Sequence, residues 1–281
     1  MPQVDYGSKP SDGGNLIVTP GEYDAVAQDP IASRYLRPYV GSKELINGEK
    51  RWCLWLVSAT QEEIRSSPEL RRRVTEVRKM RLDSDAASTR AYPHHHLFRQ
   101  FGITADQPIV CIPEVSSENR EYLPVGHLDG GAIISNKVYG ASDPTGFIFA
   151  IASSSMFITW MKTVGGRLES RLSFSSTITW NNFPLPPIDS SRGAIEEAGR
   201  AVLTARAEHP ELTLEDHYRP GAMKASVVGA HLQLDHLVDR AFGLGAAEPT
   251  LLQRQEALFA AYEELTAPLM SQQPKARGRR R

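Results

Sequence analysis

Only two cysteines, Cys53 and Cys111, occur in 281 residues. That is too few for a disulfide framework, so a reducing compartment is expected. No apolar run approaches the roughly 20 residues needed to span a bilayer, and the opening "MPQVDYGSKPSDGG" lacks the basic-then-apolar order of an export signal. These absences point to a cytoplasmic protein with no membrane role. Phosphate and dinucleotide loops are missing too: Gly130-Gly131 and Gly165-Gly166 are isolated pairs that read as turns, and nucleotide hydrolysis is not expected. His94, His95 and His96 are consecutive, point in different directions and have no ligand-type partner at a metal-site spacing, so no metal is expected.

What is present is 41% hydrophobic and 23% charged, the mixture of a globular protein of one or two domains. A formal net charge of −1 conceals a segregation. Residues 65–99 hold Arg65, Arg71, Arg72, Arg73, Arg78, Lys79, Arg81, Arg90 and Arg99, whereas residues 195–264 are dominated by carboxylates. Such asymmetry says more about partners than the sum does.

Along the chain, residues 1–36 are rich in Gly, Pro, Ser and Asp at their start and read as a connector. "ELINGEKRWCLWLV" carries the Asn47-Gly48 turn dipeptide before an aromatic and β-branched run, which predicts a hairpin and a buried strand at 51–57. Leu70, Val74, Val77 and Met80 stand at helical spacing within 68–82, with arginines on the other faces. That basic amphipathic helix reads equally as a solvated surface helix or as a phosphate-facing one. Short strands follow between 108 and 180, "LSFSSTITW" among them, around "PTGFIFAIASSSMFITWMKTVGG", which predicts one helix of about five turns. The fold class expected is therefore α+β: a mixed strand-and-helix domain at 37–190, closed by the proline-rich "NNFPLPPIDSS". A small helical bundle at 191–270 and a basic, structureless tail at 271–281 complete it.

Catalytic constellations are scarce. His231 and Asp235 are one helical turn apart and read first as a structural hydrogen bond. Ser153, Ser154 and Ser155 lack a G-x-S-x-G surround and read as helix caps. Assembled together, these residues define the alternative of a small hydrolase-like enzyme. A second opposite-charge pair, Glu169 and Arg171 in "GRLESRLSFS", stands two apart. On a strand both would project from one face, as a surface ion pair or as a reading head.

Five stretches in order, "RPYVGSKELINGEKRWCLWL", "VSSENREYLPVGHL", "GRLESRLSFS", "TITWNNFPLP" and "AHLQLDHLVDRAFG", resemble the C-terminal portion of the MmeI-like, type IIL restriction-modification enzymes. The resemblance runs from about Gly7 to about Leu269. Such enzymes join an endonuclease, an adenine-N6 methyltransferase using S-adenosylmethionine, a target-recognition domain and a terminal helical domain. The family's glycine-rich cofactor loop and Asn-Pro-Pro-aromatic motif are absent here, and "NNFPLPP" has those letters in another order. The implied reading is a double-stranded DNA recognition module without catalytic residues or a cofactor of its own. Its partners would be DNA and a methyltransferase core, upstream on the same polypeptide or on a separate subunit, which would hold S-adenosylmethionine. A protein-interaction scaffold that no longer binds DNA is the remaining alternative.

The resemblance implies base reading by Glu169 and Arg171, in a position where a Lys/Asp combination can replace Glu/Arg, and more loosely by Asn136 and Lys137. Ser173 stands where many relatives have a larger basic residue. Charge and location add phosphate contacts from Arg71, Arg73, Arg78 and Lys79 on the basic helix and from Ser116, Ser117 and Arg120 in "SSENR".

Overall fold

Eleven short strands organise the chain: β1 (Asp5–Tyr6), β2 (Ile17–Val18), β3 (Leu36–Val40), β4 (Trp52–Leu54), β5 (Ile109–Pro113), β6 (Val115–Ser116), β7 (Gly126–Leu128), β8 (Ile133–Ile134), β9 (Val138–Ser142), β10 (Gly166–Leu168) and β11 (Arg171–Ser173). The computed structural model describes residues 1–104, 106–245 and 248–271, and the strand count refers to these. The strands form three small sheets, ordered β1-β9-β5-β7, β2-β4-β3-β8 and β10-β11-β6. Every residue of β5, the apolar run "IVCIP", is buried, and β5 accordingly sits inside its sheet between β9 and β7.

The helices are α1 (Pro20–Gln28), α2 (Ser42–Asn47), α3 (Gln61–Ser66), α4 (Pro68–Leu82), α5 (Ala87–Arg90), α6 (Phe147–Ala152), α7 (Ser155–Val164), α8 (Arg192–Ala207), α9 (Leu214–His217), α10 (Ala225–Ala241) and α11 (Leu251–Ser271). Among the described residues, no helix is long and apolar enough to cross a membrane. The α+β class expected from the sequence is the class observed. The basic tail expected at 271–281 lies, Ser271 apart, outside the described residues.

Local chemistry explains several boundaries. Ser67 Oγ accepts the N–H of Leu70 and Pro68 occupies the first turn, which starts α4 where a helix has orphan donors to satisfy. The predicted five-turn helix is instead two, α6 and α7. Ser154 leaves helical geometry with ψ 153° and its Oγ caps the N–H of Phe157, while the Asp143 carboxylate takes the N–H groups of Ile148 and Phe149 in α6. Asn47-Gly48 is not a two-residue hairpin turn either. β3 and β4 do pair antiparallel, but α2 fills the connection, and Gly48 ends it at φ 68°.

Residues 1–36, read as a connector, are structural. Val4, Leu16, Val18 and Val26 are buried, β1 pairs with β9 and β2 with β4. Their apolar runs are too short to show a period, and they fold because remote strands complete them. "TITW" likewise leaves the strand and closes a single π turn at 176–180, where Ser175 Oγ accepts the Ile178 N–H and Trp180 is fully buried.

Two cores result. One gathers Leu16, Val18, Leu54, Leu70, Val77 and Phe98 beneath α4. A larger one joins β5 and β9 residues Val110, Ile112 and Tyr139 to Phe157 and Trp160 of α7 and to Ile195, Val202, Leu234 and Leu258 of the later helices. The helical region thus shares a core with the strands that precede it.

Candidate functional site

The segment "GRLESRLSFS" is a hairpin. β10 and β11 pair antiparallel with Leu168 opposite Arg171, so Glu169 and Ser170 form the two-residue turn. Glu169 has φ 59° and Ser170 no positive φ, the sign pattern of a type II′ turn, which normally has Gly at the first position. A non-glycine residue held there costs on the order of 1 kcal/mol. The single strand face expected for Glu169 and Arg171 is therefore corrected: one residue is in the turn and the other opens β11. They still meet, since Arg171 Nη2 donates to Glu169 Oε2 at 2.9 Å, and both are open to solvent, with side chains 47% and 79% exposed.

Leu172, fully buried, anchors the hairpin to the larger core, and alternation along β11 puts Arg171 and Ser173 on the outward side. β6 pairs on the other edge with Ser116 opposite Leu172. Continuing that register brings Ser117 and Glu118 opposite Arg171 and Ser170. The Glu118 backbone N–H, the Ser170 hydroxyl and the guanidiniums of Arg167 and Arg171 hold the Glu118 carboxyl below the usual carboxylate range. Glu118 and Arg167 were not singled out from the sequence, where nothing but their charge distinguishes them.

The loop "SSENR" is clamped from behind. Arg120 is 7% exposed, pairs with Glu215 of α9, donates to Ser116 Oγ, and its carbonyl accepts from Lys162. Ser116 is itself buried. The phosphate roles expected for Arg120 and Ser116 are thereby contradicted: their polar atoms face inward and are engaged. Ser117 is half-buried, and its Oγ accepts the Asn119 N–H.

On α4 the expectation divides. Arg71, Arg78 and Lys79 are exposed. Arg73 is not: 2% exposed, it donates to Glu69, to Glu22 and to the carbonyls of Asn15 and Ile17. Its assignment to phosphate is corrected on that ground. Burial would raise the Glu69 carboxyl, but hydrogen bonds from Arg72 and Arg73 outweigh it and leave the group below its ordinary pKa.

Asn136 and Lys137 make the turn between β8 and β9. Lys137 Nζ lies 3.6 Å from Glu114, and the Glu114 carbonyl accepts the N–H of Phe174 just past β11. The turn and the hairpin therefore share one edge of the molecule.

His231 and Asp235 do not form a catalytic pair. His231, fully buried, bonds Tyr218 at 2.8 Å and stacks on Tyr122 at 3.9 Å; Asp235 accepts from Tyr122 and from the N–H and Oγ of Ser155. Burial, with Arg206 nearby, keeps the His231 imidazole well below its ordinary pKa, and burial raises the Asp235 carboxyl. These groups tie the helical region to the strand region. Among the described residues no cluster of three or more His, Cys, Asp or Glu could hold a metal.

Comparison with known proteins matches residues 1–187 to the family described as MmeI, target recognition domain, and residues 188–270 to MmeI, C-terminal domain. A curated relative, DNA methyltransferase A of Bacillus subtilis (strain 168), is 36% identical over 269 residues, covering 95% of this chain and 30% of the relative. A solved structure of the type IIL restriction-modification enzyme MmeI in complex with DNA superposes with a TM-score of 0.87 at 37% identity, covering 95% of this chain and 36% of that one. The chain spans about a third of the length of these relatives.

Proposed function

This chain belongs to the MmeI family, and from that premise we propose that it is the DNA-recognising portion of a type IIL restriction-modification methyltransferase acting on adenine N6. The observation that carries the reading is the hairpin tip, where an exposed carboxylate and guanidinium are paired on a turn of disfavoured backbone geometry and anchored by a buried leucine. In the major groove the N4 amino donor of cytosine lies beside the O6 and N7 acceptors of guanine, so a side-by-side Glu/Arg pair is complementary to one C·G pair. Glu169 takes cytosine and Arg171 guanine. Asn136 and Lys137 on the same edge would read a further position, while Arg71, Arg78, Lys79 and Ser117 would hold the backbone.

Methyl transfer would occur elsewhere. S-adenosylmethionine would be held by a catalytic core, upstream on the same polypeptide or as a partner subunit, because this sequence has neither the glycine-rich loop nor the Asn-Pro-Pro-aromatic motif. The helices at 191–270 would brace the recognition region, through Glu215 and Asp235, against that core.

The test is an exchange. Installing E169K and R171D together in the complete enzyme should swap C·G for G·C at one position of the site selected from randomised duplexes, each correct contact contributing about 1–3 kcal/mol. An unchanged base at every position would refute the assignment.

A further inference from the structure

Three irregular segments, 7–11, 94–102 and 134–137, are laced together by buried polar groups. Arg81, at the end of α4, is fully buried and donates to the carbonyls of Ser11, Pro10, His94 and Leu97 at 2.8–2.9 Å. It has no carboxylate partner among the described residues, so these carbonyls, together with the Tyr92 ring 5.3 Å from the guanidinium, offset the desolvation of its charge. Ser8, also buried, accepts the Gly102 N–H on Oγ and the Asn136 N–H on its carbonyl, and Lys9 and Gln100 bridge backbone to backbone. Gly102 permits the approach: a Cβ there would lie 2.2 Å from the Tyr6 carbonyl oxygen.

Loops held this firmly present their outward side chains in fixed places, as a binding surface requires. Around an open groove of about 950 Å³ stand Lys9, Gln100, Phe101, Asn136 and Lys137. Lys9, Gln100 and Phe101 are all exposed, Phe101 at 49%. Glu114 and Lys137 form the wall shared with the edge that carries the Glu169/Arg171 hairpin.

We propose that this groove is a second base-reading surface for double-stranded DNA, in which the Gln100 carboxamide reads the adenine of one A·T pair, Phe101 lies against the thymine methyl, and Lys9 holds an adjacent phosphate. A carboxamide matches the N6 donor and N7 acceptor of adenine, and an aromatic ring suits the thymine methyl. The inference rests on the recognition reading above and adds a position to it.

Selection from randomised duplexes by the complete enzyme tests it, with Q100R, F101A and K9A beside E169K/R171D. Gln100, Phe101 and Lys9 are exposed, and matched thermal melts will confirm folding. Q100R should replace adenine by guanine at one position, distinct from the position moved by the hairpin exchange, with discrimination of roughly 5- to 150-fold. F101A should relax the thymine preference opposite, and K9A should weaken all sequences alike and lower the salt slope by about one. A Q100R enzyme that selects the original site with undiminished affinity, while the hairpin exchange still moves its own base, overturns the groove and leaves the recognition reading standing. If the unmodified enzyme shows no salt-sensitive duplex binding, both fall.

Discussion

On α4, Arg73 and Arg81 are buried and their guanidiniums are occupied by carboxylates and backbone carbonyls of the same chain. At the β10–β11 tip, Arg171 is half-exposed and its one hydrogen-bond partner among the described residues is Glu169, itself mostly in water. The two settings hold one chemical group in opposite conditions. Buried, a guanidinium organises loops, since any donor left unmet would carry its full desolvation penalty. Exposed beside a carboxylate, it contributes little to stability and remains available to an outside acceptor. A count of arginines therefore locates no interface; exposure and the state of the donors do.

The contrast is most directly broken by deletion. R81A should lower stability by about 3–5 kcal/mol, because the four carbonyls it binds lose their donor and a buried void remains, and R73A should cost a similar amount by leaving the buried ends of its ion pairs unmatched. R171A should stay within about 0.5 kcal/mol of the parent. Urea melts of the three variants measure this, and an R81A protein as stable as R171A would erase the distinction.

Acid provides a second, smaller lever on the arginine-rich region. The Thr60 backbone N–H, with the Tyr35 hydroxyl, Thr60 Oγ and Arg34, holds the Glu63 carboxyl at about 2, below its usual 4.5. A carboxyl depressed by folding stabilises above its unfolded pKa, and that contribution is lost as pH falls from there through about 2. E63Q should therefore flatten the pH dependence of the melting temperature in this window, and because the carboxylate's contribution is present in full near neutrality, it should lower the melting temperature there.

The smallest effect separates the two faces of α4 itself. R71A, R78A and K79A, all at exposed positions, should each alter stability by no more than about 0.5 kcal/mol. In the complete enzyme each should weaken DNA binding uniformly and reduce the salt slope by about one. Salt titrations with specific and unrelated duplexes check the outcome; a sequence-dependent loss would move these residues from phosphate to base contact.

Much of α4 was legible. Its apolar spacing predicts 68–82, and the helix spans Pro68–Leu82. The burial of Arg73 and Arg81 had a readable sign as well, because both fall at helical spacing with Leu70 and Val77, on the stripe that faces the core. Residue type suggested solvent there; position in the helix was the better guide. The hairpin at 166–173 had no such sign, since "LESR" contains none of the Gly, Asn or Asp that a two-residue hairpin turn favours and Glu169 occupies a conformation that usually asks for Gly. Nor could any local pattern pair Arg120 with Glu215, 95 positions away.

The order of its motifs, by itself, determined the family of this chain, and periodicity and composition determined its α+β class. These are local or collinear properties, carried by neighbouring residues. The tertiary structure alone decided which charges are free to meet a partner. Burial and hydrogen-bond occupancy arise from segments distant in sequence: the strands that complete residues 1–36, the carbonyls that receive Arg81, and the helix that clamps Arg120 behind the hairpin.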